Sequence, residues 1–163
     1  MEQSFAGCSY AVIHALNTVH DYQNNVPIQK LMSLYKDSAV TIHNTKAIYS
    51  LLKTQDLKKT LFEIYTSFSE CIKKIPHYEE KYAFDPYGRC AWVAITNFSI
   101  LTNIDKKGLT DFKHHIAAKT DKLDTIFKKV SEKNIESVLM TNSDLLRDCT
   151  YKVVLSENII SNK

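Results

Sequence analysis

The chain has 163 residues, 44% of them hydrophobic and 24% charged, which is the composition of one ordinary globular domain and excludes a disordered chain. Its formal net charge is only +3, and its lysines are scattered rather than gathered into the basic stripe that marks a nucleic-acid-binding surface. We therefore expect a single domain over residues 1–163 without a nucleic-acid partner.

Glycine and proline each occur only three times. A β-sandwich or barrel needs a turn about every 8–12 residues, so a chain with so few turn formers is predicted to be all-α. Neither of the glycine-rich phosphate-binding motifs occurs, and no histidine has a cysteine or an acid at a persuasive ligand spacing. We expect no cofactor and no metal. No stretch reaches the roughly 18 uninterrupted apolar residues of a membrane span.

The first two helices are predicted from the helical spacing of apolar residues. Ser4 can cap a helix that runs to about Tyr22, where Asn24 ends it. Pro27 suits the first turn of a second helix, because that position needs no backbone N–H. The residues of the first helix expected to face the core are Phe5, Cys8, Val12, Ala15, Leu16 and Val19. The apolar face of the second carries Ile28, Leu31, Met32, Leu34 and Tyr35.

Two helices of unequal length follow. A short one is predicted over residues 45–52, and a longer one begins after a cap at Thr54 or Asp56. Pro76 stops the longer helix, because proline cannot donate the hydrogen bond that a helix interior requires. One or two helical turns are expected over residues 78–85.

The segment Cys90–Ile104 contains no charged residue. A helix that is apolar nearly all round is buried on all sides, so we predict a central helix over about residues 87–104. The rival interpretation is a buried strand, because the valine and isoleucines of this segment have β propensity. The length of the segment favours the helix.

The last part of the chain is predicted to continue as separate helices. The run Asp105–Gly108 is expected to break the chain before a helix over Leu109–Glu132. Two short helices then follow over Asn134–Met140 and Ser143–Leu155, although the end of the second could instead be extended. Residues 156–163 are predicted to be a frayed tail.

The four cysteines, at positions 8, 71, 90 and 149, include no C-x-x-C pair. A chain of this length does not need a disulfide framework, so we predict four reduced, mostly buried thiols and a reducing compartment.

The segment Asp85–Ile95 resembles the first homology motif of the Bcl-2 family. That motif has an aromatic residue, then Gly-Arg, then a small and apolar run that begins the buried central helix. Here Tyr87 stands where the cellular members usually have tryptophan, and Pro86 stands where they usually have asparagine, which is similar to the divergent members from poxviruses. The resemblance implies a Bcl-2-like bundle of about seven or eight helices.

The resemblance also implies a binding site. In the family, the motif's arginine pairs with an aspartate of an incoming BH3 helix, a role that falls to Arg89, while Gly88 leaves room for that helix to approach. The segment Ile28–Asp37 resembles a degenerate BH3 motif, which in the family forms one wall of the groove, although Lys36 replaces the usual small residue. The implied groove residues are Ile28, Met32, Tyr35, Tyr82, Tyr87, Gly88, Arg89 and Trp92.

The function implied is that of a viral inhibitor of apoptosis that holds the BH3 helix of Bak-, Bax- or Bim-type proteins in a hydrophobic groove. The alternative within the fold is a viral modulator of innate immune (NF-κB) signalling that binds partners through other surfaces. Homodimerisation is left open. Many members carry a hydrophobic C-terminal anchor that this sequence lacks. We therefore expect a protein of the host cell cytoplasm, associated with the mitochondrial outer membrane if an anchor has been removed.

An alternative of another class is a helical cysteine-dependent enzyme. The segment Gly7–Ala11 is faintly similar to the nucleophile region of papain-like cysteine proteases, and it would require a thiol of low pKa at Cys8. Because the strands and the facing histidine that such a site needs are not predicted, we expect that the protein is not an enzyme.

Overall fold

A computed structural model describes residues 4–24, 45–115 and 134–161 of the protein. This part of the chain is all-helical and contains no strand, which confirms the predicted all-α class. Its helices, in chain order, are α1 (Phe5–Gln23), α2 (Thr45–Thr54), α3 (Leu57–Lys73), α4 (Tyr78–Lys81), α5 (Pro86–His115) and α6 (Ile135–Ser161). The helix predicted from Pro27 and most of the one predicted over Leu109–Glu132 lie outside the described residues. The expected seven or eight helices and the Bcl-2-like arrangement stay predictions.

The helix boundaries of the first half follow from local chemistry. The Ser4 side chain caps α1, since its Oγ accepts a hydrogen bond from the backbone N–H of Gly7 at 3.0 Å. Asp56, rather than Thr54, caps α3 by accepting from the N–H of Lys59 at 2.8 Å. Each side-chain cap of this kind stabilises a helix by about 1 kcal/mol.

The most thoroughly buried of the described helices is α1. It contacts α2, α3, α5 and α6, and ten of its residues are buried. The six side chains predicted to face the core are all among them. No residue from position 3 to position 20 carries a formal charge, so this helix can be surrounded by protein.

The prediction that α5 is buried on all sides is wrong for its described side chains. Cys90–Ile104 is indeed helical, and not a strand. However, Trp92 is 38% exposed, and Ser99 and Asn103 are also exposed, so one face of α5 lies at the surface. The absence of charge does not predict complete burial, because an uncharged residue need not be apolar. Serine and asparagine are well solvated, and tryptophan has a polar N–H.

The predicted break at Asp105–Gly108 is also wrong, because α5 continues through it to His115. Aspartate and lysine are tolerated in a helix, and a single glycine costs only about 1 kcal/mol relative to alanine. A free-energy cost of this size is too small to terminate a long helix.

In the same way, α6 is continuous where two short helices were predicted. Asn142, which lies in the gap between the two predicted helices, directs its amide toward α5. Its Nδ2 donates to the carbonyl oxygen of Ala94 at 3.1 Å, and its Oδ1 accepts from Nδ2 of Asn97 at 2.9 Å. Helix α6 includes the segment that could have been extended, and it continues to Ser161, through most of the predicted frayed tail.

A second buried polar contact joins α3 to α6. The hydroxyl of Tyr65 lies 2.8 Å from Oγ of Ser143, and it also donates to the carbonyl oxygen of Leu139 at 3.3 Å. Tyr65 is fully buried, which raises the pKa of its hydroxyl well above the usual range. The phenol therefore stays neutral and can satisfy its hydrogen bonds inside the bundle.

Two disulfides overturn the prediction of four reduced thiols. Cys8 of α1 is bonded to Cys71 of α3, and Cys90 of α5 is bonded to Cys149 of α6, with Cα–Cα distances of 5.9 and 5.8 Å. The partners are 63 and 59 residues apart, so no local spacing could reveal them. In the chain-entropy account, closing a loop of this size stabilises the fold by about 4 kcal/mol. The expectation of a reducing compartment rested on free thiols and loses that support.

We predict that Asn142→Ala lowers the free energy of unfolding by about 1–3 kcal/mol, because it leaves the buried amide of Asn97 without its acceptor. Urea denaturation followed by circular dichroism measures this loss. Asn103→Ala, on the exposed face of α5, is the matched control and should change stability by less than about 0.5 kcal/mol. Equal unfolding midpoints for the two variants would contradict the structural role of Asn142.

Candidate binding cleft beside Arg89

The segment that carries the family resemblance forms the start of a helix. Oδ1 of Asp85 accepts hydrogen bonds from the backbone N–H groups of Tyr87, at 2.9 Å, and Gly88, at 3.3 Å. Pro86 occupies the first position of α5, where a missing N–H costs nothing. The positive end of the helix dipole therefore lies at this motif.

Arg89 is held in place by the turn that precedes α5. Its Nε and Nη2 both donate to the carbonyl oxygen of Ala83, at 3.0 and 2.7 Å. The side chain is nevertheless exposed. Within the described ranges, its Nη1 has no hydrogen-bond partner and its charge has no carboxylate within salt-bridge distance. The guanidinium is thus both oriented and available to an anion.

Arg89 lies at the rim of a concave surface of about 510 Å³ between α5 and α6, which we call the α5–α6 cleft. Its apolar part consists of Pro86, Leu145, Val153 and the disulfide-bonded Cys90 and Cys149. Its polar part consists of Arg89, Asp148, Lys152, Ser156 and Glu157. The volume falls within the range of about 300–1,000 Å³ that is usual for ligand pockets.

The charges around the cleft do not cancel locally. Nζ of Lys152 lies 3.2 Å from Oδ2 of Asp148, one turn earlier on α6. Oε2 of Glu157 accepts a hydrogen bond from the hydroxyl of Tyr87 at 2.9 Å. Asp148 is thus neutralised by Lys152, whereas Glu157 and Arg89 each have only an uncharged hydrogen-bond partner among the described residues. The cleft is suited to a ligand that carries an apolar surface and a carboxylate.

Tyr87 lies beneath the cleft rather than in its opening. It is buried, and its hydroxyl lies 2.8 Å from that of Tyr10, so it links α1, α5 and α6 through Tyr10 and Glu157. Burial, followed by these two hydrogen bonds, raises the pKa of Tyr87 above its usual range. Tyr87 therefore positions the start of α5.

Gly88 permits a close approach, but within this chain. A Cβ at position 88 would lie 3.2 Å from Cα and O of Tyr82 and 3.3 Å from Cδ2 of Phe5. Tyr82 is half-buried, with its ring centroid 5.1 Å from that of Phe5, and burial raises the pKa of Tyr82 to about 12. The described chain thus occupies the space beside Gly88 that the resemblance assigns to a partner helix.

Of the eight implied groove residues, Arg89 alone is described as lining the cleft. Trp92 lies three residues further along α5 and is exposed on the same side of the helix. Tyr82, Tyr87 and Gly88 pack behind these two residues. The other three, Ile28, Met32 and Tyr35, lie outside the described residues.

Sequence reasoning missed Phe84, which is 86% exposed. It follows Ala83, the residue whose carbonyl holds Arg89, and it precedes the cap of α5. A phenylalanine this exposed is unusual, and an aromatic side chain beside an arginine is typical of the residues that contribute most to protein–protein binding. Its exposure depends on the α4–α5 turn, so no sequence pattern could have identified it.

Sequence reasoning also missed the α6 side of the cleft. Leu145, Cys149 and Val153 recur at i, i+4 and i+8, a row that the sequence does contain. What the sequence does not show is that α6 runs antiparallel to α5. Two contacts establish that orientation. Cys90 is bonded to Cys149, and Asn97, which lies further along α5, contacts Asn142, which lies earlier on α6.

The structure contradicts the premise of the cysteine-enzyme hypothesis. Cys8 is fully buried and bonded to Cys71, so it is not the free thiol that such a nucleophile requires. Within residues 4–24, 45–115 and 134–161, no three histidine, cysteine or acidic side chains are grouped so that they could hold a metal ion. None of the helices described is both long and apolar enough to cross a membrane.

A second concave surface lies between α1 and α6, and we call it the α1–α6 surface. It is shallow, with a volume of about 530 Å³, and Tyr10 and Tyr151 on it are 44% and 61% exposed. Arg147 crosses it, donating to Oδ1 of Asn17 at 2.6 Å and pairing with Asp144. Unlike Arg89, this arginine is already neutralised by a carboxylate of the chain.

Compared with models of protein families, with curated proteins and with solved structures, the chain matches none of them. The resemblance at residues 85–95 therefore stands on its motif alone.

We predict that Tyr87→Phe lowers the free energy of unfolding by about 1 kcal/mol, because the hydroxyl that joins Tyr10 to Glu157 is lost. Thermal and urea denaturation measure the change. Tyr151→Phe, which removes a hydroxyl from an exposed ring, is the control and should be neutral. If both variants behave like the unmodified protein, Tyr87 does not link the three helices.

Proposed function

We propose that the protein is a viral Bcl-2-like inhibitor of apoptosis that binds the BH3 helix of Bak-, Bax- or Bim-type proteins. The observation that carries the proposal is the Arg89 guanidinium at the rim of a partly apolar cleft at the amino end of α5, which is held in position and, among the described side chains, has no carboxylate within salt-bridge distance. An amphipathic helix with one aspartate supplies the apolar face and the carboxylate that this arrangement lacks.

The energetic argument depends on preorganisation. Because two hydrogen bonds to Ala83 already fix the guanidinium, little side-chain entropy is lost when a carboxylate arrives. Hydrogen bonds between a guanidinium and a carboxylate are about twice as strong as those between neutral groups. The same contact fixes the position of the incoming helix along the groove, because only one placement brings its aspartate to Arg89.

The apolar anchors of the ligand need more surface than the cleft alone. A stable helix-in-groove interface buries on the order of 1,200–2,000 Å². We propose that it extends from the α5–α6 cleft to Phe84 and Trp92, both exposed aromatics. The second wall of the groove is assigned by the family resemblance to Ile28, Met32 and Tyr35.

We predict that Arg89→Ala weakens the binding of a Bim-type BH3 peptide about a hundredfold, because one partner of a desolvated charge pair is removed. Isothermal titration calorimetry measures this in a double-mutant cycle that combines Arg89→Ala in the protein with an aspartate-to-alanine change in the peptide. The two changes together should cost little more than either alone. Additive losses would show that the arginine and the aspartate do not meet.

We further predict that Phe84→Ala weakens the same peptide at least fivefold, about 1 kcal/mol, while leaving the melting temperature unchanged. Phe84 is 86% exposed in the unbound protein, so its removal costs the fold little. Leu155→Ala, at a residue that is 42% exposed on α6, is a matched control for loss of surface apolar area. Equal affinities for the two variants would remove Phe84 from the interface.

The second candidate is a Bcl-2-fold viral modulator of innate immune (NF-κB) signalling. The observation that favours it is the α1–α6 surface, where Tyr10 and Tyr151 are exposed on a nearly flat face. A flat surface with exposed tyrosines suits a folded partner rather than a single helix. A BH3 peptide panel separates the two candidates: this one predicts that no peptide binds, and that Tyr151→Ala, but not Arg89→Ala, abolishes inhibition of NF-κB signalling.

A further inference from the structure

The two disulfides of the protein have different environments. Cys8–Cys71 lies in the core, with its residues 0% and 8% exposed. Cys90–Cys149 lines the α5–α6 cleft, where Cys90 is 3% exposed and Cys149 is half-buried. Since thiol–disulfide exchange requires a thiolate to reach a sulfur, the cleft disulfide is the accessible one.

We propose that Cys90–Cys149 is a modification site at which small carboxylate-bearing thiols exchange with the disulfide and thereby loosen the cleft. The second half of the proposal, regulation of ligand binding, rests on the proposed function, whereas the exchange itself does not. The cleft is open and large enough for such a thiol. Arg89, which has no carboxylate partner among the described side chains, lies at its rim to receive the thiol's carboxylate.

The other charged side chains of the cleft leave one negative charge: Lys152 pairs with Asp148, whereas Glu157 accepts its hydrogen bond from the neutral hydroxyl of Tyr87 and keeps its charge. The preference for a carboxylate therefore depends on direct contact with the Arg89 guanidinium and not on the net charge of the cleft. Arg89 and Cys90 both line the cleft near the amino end of α5, where positive charge favours a departing thiolate.

The exchange is a two-step displacement. The incoming thiolate attacks Sγ of Cys149, the more exposed residue of the pair, forming a mixed disulfide, while the Cys90–Cys149 bond breaks and Cys90 leaves as a thiolate. A second thiolate then attacks the small thiol's own sulfur in the mixed disulfide and releases Cys149. Two small thiols are oxidised to one small disulfide, and Cys90 and Cys149 are reduced to two thiols.

The structural consequence is local. The amide pair Asn97–Asn142 joins α5 to α6 about two helical turns beyond Cys90 and does not depend on the disulfide for its hydrogen bond. The two helices therefore stay paired in the core, but their ends at the cleft lose the covalent link that fixes the position of Arg89 relative to α6.

The experiment compares thiols of different charge. Fully oxidised protein, confirmed by the absence of alkylatable thiols after denaturation, is mixed with mercaptoacetate, 2-mercaptoethanol or cysteamine. Samples are trapped with N-ethylmaleimide and mapped by mass spectrometry, and the emission of Trp92, the single tryptophan and two residues from Cys90, follows the reaction continuously. Rates are expressed per thiolate and normalised to those with the neutral disulfide of 2-mercaptoethanol.

We expect Cys90 and Cys149 to become labelled first, with the adduct on Cys149. We expect mercaptoacetate to react about three- to tenfold faster than cysteamine after normalisation. Arg89→Gln, whose amide can still donate to the carbonyl of Ala83, should abolish that preference. Labelling of Cys8 and Cys71 at the same rate, or a charge preference that survives in Arg89→Gln, would overturn the assignment.

The second half of the proposal, regulation of ligand binding by the cleft disulfide, is tested by measuring the affinity for a BH3 peptide. Protein whose Cys90 and Cys149 are reduced and alkylated should bind a BH3 peptide at least tenfold more weakly than oxidised protein. The variant with both Cys8 and Cys71 changed to alanine, once circular dichroism shows that it is folded, should bind normally. Unchanged affinity after cleft reduction would refute regulation. If the oxidised protein binds no BH3 peptide, the proposed function and its regulation both fail, while the exchange rates still decide the modification site.

Discussion

The burial of α1 is the constraint on which the rest of the described structure depends. A helix without formal charge on nearly its whole length is covered by α2, α3, α5 and α6. Because α1 takes the interior position, α5 packs against it with one face and leaves the other at the surface. That exposed face carries Trp92, and the turn before it carries Phe84 and the carbonyl that holds Arg89. The candidate site exists because α5 is not the centre of the bundle.

Polar groups inside the bundle set how its helices are joined. Asn97 and Asn142 connect α5 to α6, and Tyr65 connects α3 to Ser143 of α6. Each pair costs desolvation that apolar residues would avoid, and each forms only in one register of the two helices. With the cleft disulfide, these contacts orient α6 so that its apolar row faces the amino end of α5.

Features that depend on neighbouring residues, such as helix caps, could be predicted from the sequence. Features that depend on contacts between residues far apart in the chain could not. Ser4 and Asp56 act within one helical turn, so the predicted start of α1 is confirmed and, of the two caps predicted for α3, Asp56 is the one found. Helix α3 ends at Lys73, slightly before the end predicted at Pro76. The continuity of α6 through Asn142 was missed because its hydrogen-bond partners on α5, Ala94 and Asn97, are more than forty residues away in sequence. Disulfide partners and the exposure of Phe84 are equally non-local. Arg89 could be singled out from its motif, but the cleft it lines required the antiparallel pairing of α5 and α6.

The order of the cysteines along the chain has a consequence for biosynthesis. The two disulfides are sequential: the loop closed by Cys8 and Cys71 ends before the loop closed by Cys90 and Cys149 begins. On a ribosome, both partners of the first bond emerge before either partner of the second. Cys8 and Cys71 can therefore form their disulfide before any non-native cysteine partner has been synthesised. The amino-terminal half can then be cross-linked around α1 before the α5–α6 cleft forms.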